Sequence, residues 1–122
     1  ADVTFEGDKA GSHAGHSLAA GDVDGDGELD LLIGSREYPG NSGNGRASLL
    51  HGPLLSLGPT VDLGIGLDAT WTGEDSNDYM GTAVRIADLD GDGKAEVLLG
   101  SPRDDAEATD AGAVFVFTGQ GI

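Results

Sequence analysis

An all-β fold built from β-propeller blades is what this 122-residue sequence predicts, and three observations carry that prediction. The chain repeats itself with a period of 66 residues: "SLAAGDVDGDGELDLLIGS" at residues 17–35 lies over "AVRIADLDGDGKAEVLLGS" at residues 83–101, with 8 identities in 19 positions. Its apolar residues come in short runs bounded by Gly, Pro, Asp or Asn, the pattern of buried strands, and no helical periodicity extends beyond a turn. Each copy carries four such runs, and four short strands per repeat of tens of residues is the pattern of a propeller blade.

In chain order, "DVTF" at residues 2–5 alternates like an edge strand. "SLAA" leads into the first acidic loop, "LDLLIG" leads out of it, and "RASLLHG" supplies the third run. The stretch "PGNSGNG", residues 39–45, reads as a flexible hairpin loop. In the second copy "DATW" stands in the place of "DVTF", so that Phe5 corresponds to Trp71, and "TAVRIA", "AEVLLG" and "AVFVFTG" follow. The third runs align with one residue of slippage, residues 45–52 over 112–119. The sequence is therefore read as one two-blade unit, residues 1–122, with repeats at about 1–66 and 67–122 and four antiparallel strands per blade.

Charge narrows the function. Against 22 Asp and Glu stand 6 Lys and Arg, a formal net charge of -16. Binding nucleic acid or an anionic membrane surface needs clustered Lys and Arg, so neither is expected as a partner, whereas cations are. The absence of Cys excludes disulfides, thiolate metal sites and a Cys nucleophile. No apolar run approaches the roughly 20 residues of a spanning helix, so membrane insertion is not expected. The opening "ADVTFEGD" has neither an initiator Met nor the pattern of a signal peptide, which reads as a processed protein or an excised piece.

The cations have an evident place to bind. In "DVDGDGELD", Asp22, Asp24, Asp26 and Asp30 hold positions 1, 3, 5 and 9, and the carbonyl of Glu28 at position 7 adds an oxygen. In "DLDGDGKAE" the corresponding groups are Asp88, Asp90, Asp92, Glu96 and the carbonyl of Lys94. Carboxylates at alternate positions converge if the chain curls, interleaved glycines permit the positive φ that curling needs, and six to eight oxygens suit Ca2+ better than Mg2+. Four clustered carboxylates repel one another unless a cation sits among them. About two Ca2+ per chain are expected. An EF-hand shares the D-x-D-x-D-G opening but requires Glu at position 12 between helices. Ile33 and Leu99 stand there, inside strand-like runs.

With these motifs the chain resembles tandem FG-GAP repeats, the blades of integrin α-subunit propellers and of many bacterial extracellular proteins. The family's aromatic-glycine element is matched to Phe5-Glu6-Gly7 and Trp71-Thr72-Gly73. Its G-A-P element is matched to Gly100-Ser101-Pro102 and, in degraded form, to Gly34-Ser35-Arg36. The resemblance implies propeller blades, calcium in the loops between the first two strands of each blade, and an extracellular or cell-surface setting. It transfers no particular ligand.

Two blades do not close a ring, since propellers have 4–8. Because "DVTF" is the counterpart of a fourth strand, it is expected to complete the last blade of a neighbouring chain in a head-to-tail homo-oligomer, a trimer of six blades being favoured over a tetramer of eight. The function expected is a calcium-binding structural or adhesion module with a protein or glycan ligand, not an enzyme. The alternatives are a lectin-like module, with a sugar stacked near Trp71 or Phe5, and a fragment of a larger propeller. His13, His16 and His51 read as surface or interface polar residues, and Asp104, Asp105, Glu107 and Asp110 as a solvated acidic face.

Overall fold

The computed structural model describes residues 1–120 and 122. Along the chain run nine strands: β1 (Thr4–Glu6), β2 (Ala14–Gly21), β3 (Asp30–Ser35), β4 (Arg46–Leu50), β5 (Thr60–Asp62), β6 (Ala69–Thr72), β7 (Ala83–Ala87), β8 (Glu96–Ser101) and β9 (Ala113–Phe117). The only helical element among the described residues is a 3-10 turn, Leu54–Ser56. The all-β expectation holds.

The first blade is a four-stranded antiparallel sheet in the order β2-β3-β4-β6. Its fourth strand is the "DATW" segment, which lies beyond the 66-residue boundary. The second blade, β7-β8-β9, has three of the four expected strands, and the outer edge of β9 has no strand partner among the described residues. β1, the repeat counterpart of β6, lies parallel to β5, with Phe5 opposite Val61. The reason is apolar: Phe5 and Val61 pack against a small core of Ile33, Leu50 and Leu63 on the far side of the first blade.

Between the blades lies the main core. Leu32, Ala47 and Leu49 face Val84, Val97 and Leu99, with Val23 and Met80 closing the ends. Every residue of β4 is buried, because one of its faces meets the second blade and the other meets the β1–β5 layer. β9 instead alternates, and its outward Val114 and Val116 remain 72% and 52% exposed. Trp71 covers the inter-blade core at the rim, its ring centroid 5.2 Å from that of Phe117.

The segment read as a flexible hairpin, residues 39–45, is instead docked. Its backbone oxygens at Ser42, Gly43 and Asn44 accept from the N–H groups of Asn77, Tyr79 and Met80 at 2.8–3.1 Å, and Gly45 bridges to Met80. Composition made it look mobile. What fixes it is a partner some 35 residues away in sequence that needs these backbone acceptors.

Candidate cation-binding loops

Both acidic loops connect the first two strands of a blade, β2 to β3 and β7 to β8, and both fold by the same hydrogen bonds. Asp22 Oδ1 accepts from Gly25 N at 2.8 Å and its Oδ2 from Gly27 N at 2.8 Å. Asp88 repeats this with Gly91 N at 2.9 Å and Gly93 N at 3.0 Å. Asp26 and Asp92 each take the N–H two residues on, that of Glu28 at 2.8 Å and of Lys94 at 2.9 Å. The last carboxylate of each loop reaches back: Asp30 Oδ2 accepts from Val23 N at 2.8 Å and Glu96 Oε1 from Leu89 N at 2.7 Å. Gly25 and Gly27 sit at φ 77° and 86°, and Gly91 and Gly93 at 76° and 86°, a curl that a β-carbon would strain.

The curl turns carboxylates toward one another. Ligand-capable oxygens of Asp88, Asp90, Asp92 and Glu96 all lie within 4.8 Å of each other, as do those of Asp22, Asp24 and Asp26. Asp30 falls in a different group, within the same distance of Asp24 and His51. Thus the longer Glu96 joins its loop's cluster, while the shorter, fully buried Asp30 stays at the foot of β3, where Gly52 N also donates to its Oδ1 at 2.9 Å. Glu28 and Lys94 lie on the same curls, their own N–H groups used as above.

Electrostatics follows the crowding. The Gly27 N–H bond, with those of Gly25 and Asp26, holds the Asp22 carboxyl below the usual aspartate range. Burial, with Asp26 and Asp30 beside it, pushes Asp24 up. At Asp90 the Asp92 N–H works downward, but desolvation and the charges of Asp92 and Glu96 prevail and raise it. The Lys94 N–H holds Asp92 low. Carboxylates that resist losing their protons together are the donor set a hard divalent cation relieves, and oxygen-only clusters of this kind fit Ca2+.

The FG-GAP repeat pattern matches residues 14–50 and 80–117, together more than half of the chain. The chain belongs to the FG-GAP repeat family. It is 35% identical to integrin alpha-PS2 of Drosophila melanogaster over 120 residues, which cover 93% of the chain and 8% of that protein. It is 33% identical to phosphatidylinositol-glycan-specific phospholipase D of Homo sapiens over 110 residues (86% of the chain, 13% of the relative), and 31% identical to human integrin alpha-IIb over 118 (95% and 11%). The chain thus spans about a tenth of the length of these relatives. The two FG-GAP matches begin at Ala14 and Met80, so Phe5, Glu6 and Gly7, like Trp71, Thr72 and Gly73, lie outside them.

Sequence reasoning missed His51 at this site. It stands just past β4, and its Nδ1 lies 3.3 Å from Asp30 Oδ1 and 3.5 Å from Asp24 Oδ2. Although burial pulls the imidazole the other way, Asp30, Asp68 and Asp24 raise its pKa. The signal was positional: β4 pairs with β3, so the residue after Leu50 meets the one before Leu31. His13 behaves as expected, pairing with Glu37 at 3.1 Å on the surface, and His16 is exposed. The acidic stretch after β8 is largely exposed as well.

Proposed function

We propose that this FG-GAP module is a calcium-stabilised pair of propeller blades with a structural or adhesive role outside the cell, holding about one Ca2+ in each acidic loop. The observation that supports it best is the recurrence of one hydrogen-bonded curl in two loops, each turning at least three carboxylates into a 4.8 Å cluster. Mechanistically the cation acts by linkage: it binds the folded curl far better than the unfolded chain, and at a hundredfold excess over Kd adds about 2.7 kcal/mol to stability. For a domain of this size that is a melting shift on the order of 10 °C. Melting is followed by circular dichroism in Ca2+ and in EGTA, for the wild type and for Asp90→Asn. The wild type should show the full shift and Asp90→Asn part of it; identical curves in Ca2+ and EGTA would sink the proposal.

The module assembles head to tail, and a ring of three copies is the preferred closure over four. Support comes from the open edge of β9 and from the exposed Val114 and Val116, which occupy the positions that Ala47 and Leu49 use to bury the first blade against the second. In a longer polypeptide the next repeat serves the same purpose. We assign the module no catalytic role; the phospholipase relative is matched over only 13% of its length, so its activity does not carry over. A second reading rests on one groove of about 570 Å3, lined by Trp71, Phe115, Phe117, Met80 and Glu74, whose aromatic rim suits stacking on a sugar. Binding on a glycan array that is lost in Trp71→Ala would favour it.

A further inference from the structure

We infer that the first loop carries a second, chemically different cation site, in which Asp24, Asp30 and His51 take a borderline divalent metal of the zinc type in competition with calcium. The inference rests on the reading of the loop as a cation site, because it shares Asp24 with it.

Three observations single these residues out. First, the imidazole is close to both carboxylates. His51 Nδ1 is shielded from solvent and lies 3.3 Å from Asp30 Oδ1 and 3.5 Å from Asp24 Oδ2, near enough to ion-pair with either but without the geometry of a hydrogen bond to one of them. Two ligands bound at about 2.0–2.1 Å to a tetrahedral zinc ion stand about 3.3–3.4 Å apart, so the present spacing is already that of two ligands on one small ion. Calcium, with longer bonds and a demand for six or more oxygens, gains little from a nitrogen. Second, the ligands are held from behind. Asp30 accepts N–H bonds on both oxygens, from Val23 at 2.8 Å and Gly52 at 2.9 Å, and the backbone N–H of His51 is fixed by Asp68 Oδ2 at 2.7 Å. The two bonds to Asp30 fix a carboxylate as outer contacts to a metal ligand do, while the Asp68 bond fixes only the backbone that carries His51. Third, the second repeat lacks the arrangement. The residue aligned with His51 is Thr118, and there Glu96 joins the all-oxygen cluster instead of standing apart from it.

A metal bound by Asp24, Asp30 and His51 has three protein ligands and leaves a fourth position to water. Because Asp24 also belongs to the cluster with Asp22 and Asp26, the two occupancies exclude each other in the first loop but leave the second loop untouched. The chain is therefore expected to take two Ca2+ in calcium alone, and one Zn2+ plus one Ca2+ when both are present.

The test is a calorimetric titration of the full chain with Zn2+ and with Ca2+, for the wild type, His51→Thr and a His13→Gln/His16→Gln control. The expected result is one Zn2+ in the wild type and in the control, at least tenfold weaker Zn2+ binding in His51→Thr, and unchanged Ca2+ binding in all three. Histidine-ring NMR of the wild type gives a reading independent of any variant: Zn2+ should move the His51 signals and leave those of His13 and His16. Equal Zn2+ affinity in wild type and His51→Thr, or unmoved His51 signals at saturating Zn2+, would overturn the inference. Failure of Ca2+ to bind either loop would instead refute the calcium proposal, and is read separately in the calcium titration.

Discussion

Arg46→Ala should cost the molecule more than its surface count of charges suggests. Arg46 sits on β4 with its side chain 6% exposed, donates from Nη2 to Asp8 Oδ1 at 2.7 Å, and lays its guanidinium 3.9 Å from the centroid of Tyr38. Its counterpart in the second repeat is Ala113, so the strand itself accepts alanine. Removing one partner of a buried ion pair costs about 3–5 kcal/mol. Asp8 is 15% exposed and keeps some contact with water, which brings the expectation to about 2–3 kcal/mol, with roughly 0.5–1 more from the lost cation–π contact. Burial pushes the Asp8 carboxyl up, but the Arg46 bond and charge prevail and hold it below its ordinary value of about 3.9. A depressed carboxylate stabilises the fold above its unfolded pKa and loses that contribution as pH falls through its folded pKa. Urea unfolding at pH 7 should therefore separate wild type and variant by about 3 kcal/mol, and the gap should shrink toward the stacking part as pH falls below the ordinary aspartate range and through the depressed pKa of Asp8. A gap under about 0.5 kcal/mol at pH 7, or one unchanged at pH 2, would refute the reasoning.

Much of this was legible because the repeat tests itself. The positions of β2, β3, β4, β6, β7, β8 and β9 follow from short apolar runs that recur in register, and the loops follow from Asp at alternate positions with Gly between. What the sequence could not display were contacts between segments that no local pattern links. β1 looks like a fourth strand and is one by alignment, yet within this chain its neighbour is β5, chosen by the apolar patch around Leu63. Residues 39–45 look like a flexible loop because Gly and Asn dominate, while their backbone oxygens serve residues 77–80. His51 read as a surface or interface polar residue because nothing local links it to the acidic loop. Its alignment with Thr118 was the available signal, since it makes the two loops unlike.

Two further outcomes are expected. Asp78 is 2% exposed with Oδ1 unpaired, and burial together with Asp104, Asp75 and Asp105 raises its pKa. A raised carboxyl favours the fold only while protonated, so its benefit fades as pH rises through the folded pKa. Asp78→Asn should gain about 1 kcal/mol at pH 7 and nothing in strong acid, read by urea unfolding at both pH values; a loss at pH 7 would count against it. The open edge of β9 makes the other prediction. In the first blade Ala47 lies opposite Trp71 and Leu49 opposite Ala69. Carried through the repeat, this sets Val114 opposite Phe5 and Val116 opposite Val3 of a second copy. The phase agrees: Thr4 N–H and Glu6 C=O are engaged by the β5 side, which turns the backbone groups of Phe5 to the free edge, as those of Trp71 turn toward β4. Opposed residues in such a ladder have α-carbons about 4.5–5.5 Å apart, within disulfide reach. The chain has no cysteine of its own, so Val3→Cys/Val116→Cys should cross-link copies under mild oxidation, giving species in multiples of 12.3 kDa that end at a closed ring. Each single variant should stop at a dimer at most. A double variant that stays monomeric, with its melting curve intact, would show that β9 does not receive β1 of another copy.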